Sequence, residues 1–272
     1  MKKLKKILAS PATTIVAFVL AAGLLLFSSI GGAQAALTAY SENYVSQFEL
    51  NDIGVALIEN DIMIASDGAL LVNMLTNASN PEVQDPLKLG KHYGEELKVQ
   101  NTGTIDQYVR VSVYKYWTEP KKEGAKESDK SQELSPDLIG LLLKGADITS
   151  DQGRKMLEEN GWLFDASAST EERTVLYYAR PLVSGEEGNG EESSLFADEI
   201  TISGQVAQKV TESTSKNDAG LTVIKTTYAY NGCNFCLEVK VDAVQDHNAE
   251  DAILSAWGRK VTIDGNGTLS LN

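Results

Sequence analysis

The sequence predicts a mainly β fold: a jelly-roll-like β-sandwich with a short helical insertion, preceded by a signal peptide. Three observations carry this reading. Several segments alternate in side-chain character with period two, most clearly Val109, Val111 and Val113 against Tyr108, Arg110, Ser112 and Tyr114, the spacing of a strand in a sheet. Glycine, asparagine and aspartate punctuate the intervals between those segments, as turns require. Seven or more such strands indicate two packed sheets rather than one.

The chain opens on Lys2, Lys3, Lys5 and Lys6, followed by an uncharged stretch from Ile15 to Ile30. Ala33-Gln34-Ala35 then supplies a small-x-small site, with the cut expected before Ala36. Residues 1–35 therefore read as a secretory signal peptide. The competing reading is a retained anchor, because the apolar run approaches the ~20 residues a membrane helix needs. Removing residues 1–35, whose only charges are the four lysines, moves the net charge from −14 to −18 and leaves 237 of the 272 residues. A chain this acidic repels nucleic acid and anionic membrane surfaces, so no nucleic-acid partner is expected. The length suits one large β domain with its own core. With only Cys233 and Cys236 present, it is not a disulfide-dense scaffold.

Three parts are expected: the signal peptide, an N-terminal segment 36–58, and a β-sandwich over 59–272. Residues 36–60 begin polar and aromatic and become strand-like through Phe48, Leu50, Ile53, Val55 and Leu57. Residues 61–86 carry no decisive period. The run from Glu95 to Trp117 reads as a β-hairpin about the turn Asn101-Thr102-Gly103, because asparagine and glycine tolerate positive φ. Residues 118–133 are charged and solvated. Ser135-Pro136-Asp137 gives an N-cap with proline at the first helical position, and "LIGLLLKG" continues it as a short buried helix. Thr149 to Gly161 is a second helix, stopped by Gly161. Together these form a helical insertion over about 135–161. Strand patterning returns at Arg173–Leu182, a Gly/Glu-rich loop spans Ser184–Ser194, and "LFADEITISGQVAQKV" is extended. "LTVIKTTYAY" and "CLEVKVDAVQ" flank "NGCNF" as a second hairpin. Asn248–Gly258 is a capped amphipathic helix, and two short strands close the chain around Asp264-Gly265-Asn266-Gly267.

The residues that could carry chemistry are sparse. A zinc peptidase places two imidazoles on one helical face, as in His-Glu-x-x-His. The two histidines here, His92 and His247, are 155 positions apart and in loop-like sequence. With Glu95, Glu96 and Asp246 they are the one alternative metal set; surface histidines are the favoured reading, and no cofactor is expected. There is no Gly-x-Ser-x-Gly elbow. Cys233-Asn234-Phe235-Cys236 is a CxxC flanked by strand-like sequence instead of opening a helix, which favours a disulfide at a hairpin tip over free thiols or a redox pair. Asp264 to Gly267 lacks the downstream glutamate of a calcium loop and reads as a turn.

Taken in order, four stretches resemble the TasA–camelysin family of secreted biofilm-matrix proteins of Gram-positive bacteria. They are "YSENYVSQFELNDIGVALIE", "VQNTGTIDQYVRVSV", "LYYARPLVSGEEGNGEESSLFADEITI" and "VDAVQDHNAEDAILSAWG". The resemblance implies a jelly-roll fold, export through a dedicated signal peptidase, and a structural subunit of extracellular fibres that self-associates into filaments, with accessory matrix proteins as further partners. It also implies polymerisation by donation of an N-terminal strand, which Tyr40, Tyr44, Val45, Phe48 and Leu50 would form here. Two alternatives stand beside it: a camelysin-like cell-surface metalloendopeptidase, and a monomeric surface adhesin or binding module.

Overall fold

The computed structural model describes residues 52–65, 70–71, 74–77, 80–125, 128–216 and 222–272. The chain divides into two compact units, Met1–Leu50 and Asn51–Asn272, and all described residues belong to the second. The expected signal peptide, its cleavage residues Ala33, Ala35 and Ala36, and the strand-forming residues Tyr40, Tyr44, Val45, Phe48 and Leu50 lie outside the described residues.

The elements run β1 (Val55–Glu59), β2 (Ile62–Ile64), β3 (Thr76–Asn77), β4 (Asn80–Gln84), β5 (His92–Asn101), β6 (Gln107–Thr118), β7 (Ile139–Leu143), β8 (Ala146–Asp147), α1 (Asp151–Glu159), β9 (Trp162–Phe164), β10 (Arg173–Tyr178), β11 (Ala197–Ile202), β12 (Val210–Lys216), β13 (Thr222–Tyr228), β14 (Asn234–Gln245), α2 (Ala249–Trp257), β15 (Val261–Ile263) and β16 (Leu269–Leu271). The protein is mainly β, and every strand pair among the described residues is antiparallel. One sheet has the order β2-β1-β5-β11-β7-β8 and a second has the order β14-β6-β10-β9. β1 is a strand of the first sheet, so residues 55–58 of the expected N-terminal segment belong to that sheet.

The two sheets share one core. Leu97 and Val99 of β5, Leu141 and Leu143 of β7, and Ile200 of β11 meet Val109, Val111 and Val113 of β6 and Leu176 of β10. Trp162 anchors one end, its ring 5.0 Å from that of Tyr178 and 5.4 Å from that of Phe196, with its indole N–H donated to the Ser194 carbonyl at 2.9 Å. The outer face of the four-stranded sheet carries a second core: Tyr108, Val175, Tyr177 and Val244 pack beneath Ile253 of α2 and Val261 and Leu269 of the β15–β16 hairpin. Burial on both faces explains why β6 and β10 are apolar or aromatic at positions that a one-sided sheet leaves polar.

Four expectations are corrected. "LIGLLLKG" is not a helix: after a single 3₁₀ turn at Pro136–Leu138, Ile139–Leu143 becomes β7, buried at every position between β11 and β8. An apolar run without alternation fits a fully buried strand as well as a short helix, and here two neighbouring strands satisfy its backbone. Residues 135–161 are therefore part of the sheet scaffold plus one helix, α1, not a helical insertion. The Asn101-Thr102-Gly103 turn is not a hairpin tip: β5 pairs with β1 and β11 while β6 pairs with β14 and β10, so the turn carries the chain from one sheet to the other. The second expected hairpin fails for the same reason, since β13 pairs with β12 and β14 with β6. The closing hairpin is as expected: β15 pairs with β16 about a turn in which Gly267 has φ +80°.

Candidate functional site

The corner between the sheets is held by one buried asparagine. Asn101 Oδ1 accepts from the Gly103 N–H at 2.8 Å and from Gln107 Nε2 at 2.6 Å, and its Nδ2 donates to the carbonyls of Ile105 and Leu182, both at 2.9 Å. Both ends of the side-chain amide are thus satisfied, which a fully buried asparagine requires. The same corner grips the start of the domain. Thr102 N–H donates to the Gly54 carbonyl at 2.8 Å and Thr104 N–H to the Asp52 carbonyl at 2.9 Å, and the Asp52 N–H returns a bond to Thr104 Oγ1 at 2.8 Å. A Cβ on Gly103 would stand 2.4 Å from the Asp52 carbonyl oxygen, so only glycine allows this approach. The Ser184–Ser194 stretch, the expected Gly/Glu-rich loop, is laced along β5: Gly190 and Ser193 N–H groups donate to the carbonyls of Asn101 and Val99, and Asn101 N–H to that of Glu191.

Beyond this corner lies a groove of about 1360 Å³ between β1–β2 on one side and β14 on the other. Val55, Leu57 and Ile64 form one wall, Phe235, Val239 and Val241 the other, and Leu71 and Met74 border it. β14 is the terminal strand of its sheet; among the described residues only β6 pairs with it, along its whole length from Asn234 to Gln245. A 12-residue strand with one edge unpaired among the described residues and a half-buried apolar face offers the kind of edge to which another strand can add. At the rim, the Tyr116 hydroxyl donates to Glu238, and that bond pushes the Tyr116 pKa up. Exposed Ile62 and Met63 continue the apolar surface onto β2.

One wall of the groove is tied to a buried acidic pair. Leu71 N–H donates to Glu59 Oε1 at 2.6 Å. Glu95, one diagonal step away on β5 and 1 % exposed, takes a bond from Asn60 Nδ2 at 3.3 Å. Its Oε1 has no hydrogen-bond partner among the described residues. Burial first, and then the neighbouring Glu59, raise the Glu95 pKa from 4.5 to about 8. The signal was legible in sequence: Glu95 has the parity of Tyr93, Leu97 and Val99, the inward-facing residues of β5.

The structure separates the histidines. His92 opens β5, where Nδ1 lies 2.8 Å from Glu199 Oε2, while His247 sits exposed in the turn between β14 and α2 on the other sheet's side. His92 is thus a strand residue rather than part of a loop. Among the described residues no three of His, Cys, Asp and Glu converge as metal ligands would. Cys233 and Cys236 are free thiols here. Cys233 occupies the turn after β13 and directs Sγ to the Ala229 carbonyl at 3.2 Å, whereas Cys236 lies on β14 opposite Tyr116, with Sγ 4.0 Å from Thr118 Oγ1. Burial, then Glu119 and Glu133, raise the Cys233 pKa, the opposite of an activated thiol. Among the described residues no helix is long and apolar enough to cross a membrane. Neither the models of known protein families nor the curated proteins match this sequence.

Proposed function

We propose that the chain is a secreted structural subunit of an extracellular matrix fibre, and that its groove receives the N-terminal strand of the next copy. The edge of β14 that no strand pairs among the described residues, beside an apolar groove, supports this reading. A strand added there gains a ladder of main-chain hydrogen bonds from β14, while its alternate side chains enter the groove. Tyr40, Tyr44, Val45, Phe48 and Leu50 give the released N-terminal segment apolar and aromatic side chains to bury. The contact is head-to-tail, so it propagates instead of closing. The reading includes export with cleavage before Ala36, a jelly-roll-like arrangement of the two sheets, and, outside the cell, a Cys233–Cys236 disulfide. It needs no cofactor and no catalytic residue.

The test compares the chain starting at Ala36 with one lacking residues 36–50. Electron microscopy should show filaments from the first and folded monomers from the second. Equal polymerisation of the shortened chain would defeat the strand-donation reading.

A further inference from the structure

On the outer face of the four-stranded sheet, away from the shared core, lies a second cavity of about 480 Å³. Four cationic side chains line it: Arg110 from β6, Arg173 from β10, Lys240 from β14, and Arg259 just after α2. Such a concentration stands out in a chain with 24 basic against 38 acidic residues. Local carboxylates neutralise only part of it. Arg259 Nε lies 2.9 Å from buried Asp165 Oδ2, and Asp165 Oδ1 is already taken by the Ser167 N–H and hydroxyl at 3.0 and 2.6 Å. Arg110 Nη2 donates to Asp242 at 2.7 Å, and Lys240 reaches the other oxygen of that carboxylate at only 3.4 Å. Arg110 Nε is buried with no hydrogen-bond partner. Arg173 spends Nε and Nη2 on a single acceptor, the Ala168 carbonyl, at 3.0 and 2.6 Å; among the described residues it faces no carboxylate.

Four cations thus face the two carboxylates of Asp165 and Asp242, a surplus of positive charge, and one buried guanidinium N–H is orphaned. Buried N–H groups without acceptors are costly, and guanidinium forks match carboxylate and phosphate oxygens. The remaining wall is polar and aromatic: Ser112, whose hydroxyl makes no hydrogen bond among the described residues, together with Tyr114 and Trp257. The volume lies within the ordinary range of small-molecule sites and far exceeds what an inorganic ion fills.

We propose that this cavity binds a sugar-sized organic anion. Arg110, Arg173 and Lys240 hold its carboxylate or phosphate, and the Ser112 and Tyr114 hydroxyls meet its hydroxyl groups. The site does not depend on the fibre reading.

Calorimetric titration of the secreted chain with glucuronate, glucose 6-phosphate, glucose and inorganic phosphate tests it. At least one of the two anionic sugars should bind, the tighter one identifying the anion, with glucose silent and inorganic phosphate at least about tenfold weaker. Lys240→Glu, at an exposed position, should weaken binding about tenfold or more, as the loss of one charge-assisted bond predicts, and Lys240→Arg should retain it. Arg173→Gln should act like Lys240→Glu, with folding checked by an unchanged melting curve. Binding of glucose or inorganic phosphate as tight as that of the anionic sugars, binding by none of the four, or undiminished affinity in Lys240→Glu would overturn the proposal.

Discussion

Glu95 is 1 % exposed and stands beside Glu59 of the neighbouring strand. A carboxyl buried beside Glu59 keeps its proton to about pH 8, against an ordinary value of 4.5, because ionisation would place two charges in one dry site. Folded-state affinity for the proton exceeds that of the unfolded chain, so this contribution to stability is complete below about pH 4.5 and is lost as pH rises toward about 8. Most acidic proteins instead lose stability on acidification as paired carboxylates protonate. Glu95→Gln keeps the shape, supplies an N–H₂ donor toward Glu59 and removes the titration. Its denaturant midpoint should exceed that of the parent at pH 8.5, with the gap closing by pH 5. A parent curve that does not fall between those values, or a variant less stable at both, would show that Glu95 is ionised throughout. The Leu71 amide is tied to Glu59, which places the segment bordering the groove beside this pair.

At the scale of elements, the groove makes its own demand. Val239 and Val241 lie on the inward face of β14, yet both remain partly exposed, so under the proposed strand donation they would bury further surface against the incoming strand. Val241→Lys should leave folding nearly intact, since a lysine stem covers apolar surface while its ammonium reaches water. We expect a stability loss of about 1 kcal/mol, within the common range for such changes, and loss of filaments under electron microscopy. Filaments of normal length from this variant would move the acceptor site elsewhere. The elements themselves were largely legible in the sequence, but their partners were not. Period two marked β6, β10 and β14, and Gly161 and Gly258 marked the ends of α1 and α2. Which strand pairs with which depends on long-range packing that alternation does not encode. "QNTG" reads locally as a hairpin turn; only the burial of Asn101 among Gly103, Gln107, Ile105 and Leu182 reveals a corner between sheets. β7 was misread because Ile139–Leu143 is covered on both faces and has no polar side to show. The cationic cavity was invisible for a related reason: Arg110, Arg173, Lys240 and Arg259 come from four separate segments that only the sheet order brings together.

At the scale of the whole molecule, charge and apolar surface pull in opposite directions. The full chain carries −14, and the proposed cleavage before Ala36 would remove four lysines and take it to −18, so copies of that form would repel one another. The proposed contact between copies is a strand in an apolar groove, held by main-chain hydrogen bonds and burial rather than by ion pairs. Mobile ions screen the repulsion and leave such a contact almost untouched. The Debye length falls from about 30 Å at 0.01 M salt to about 8 Å at 0.15 M, shorter than the spacing between the centres of neighbouring domains of this size. Assembly should therefore be slow at low ionic strength and accelerate severalfold on reaching 0.15 M, as followed by light scattering with filaments confirmed by microscopy. An assembly driven by complementary charged patches would respond in the opposite direction, because the same salt would screen its attraction. Filament formation that slows as salt rises would place the energy of the contact in ion pairs and remove the apolar groove from its centre.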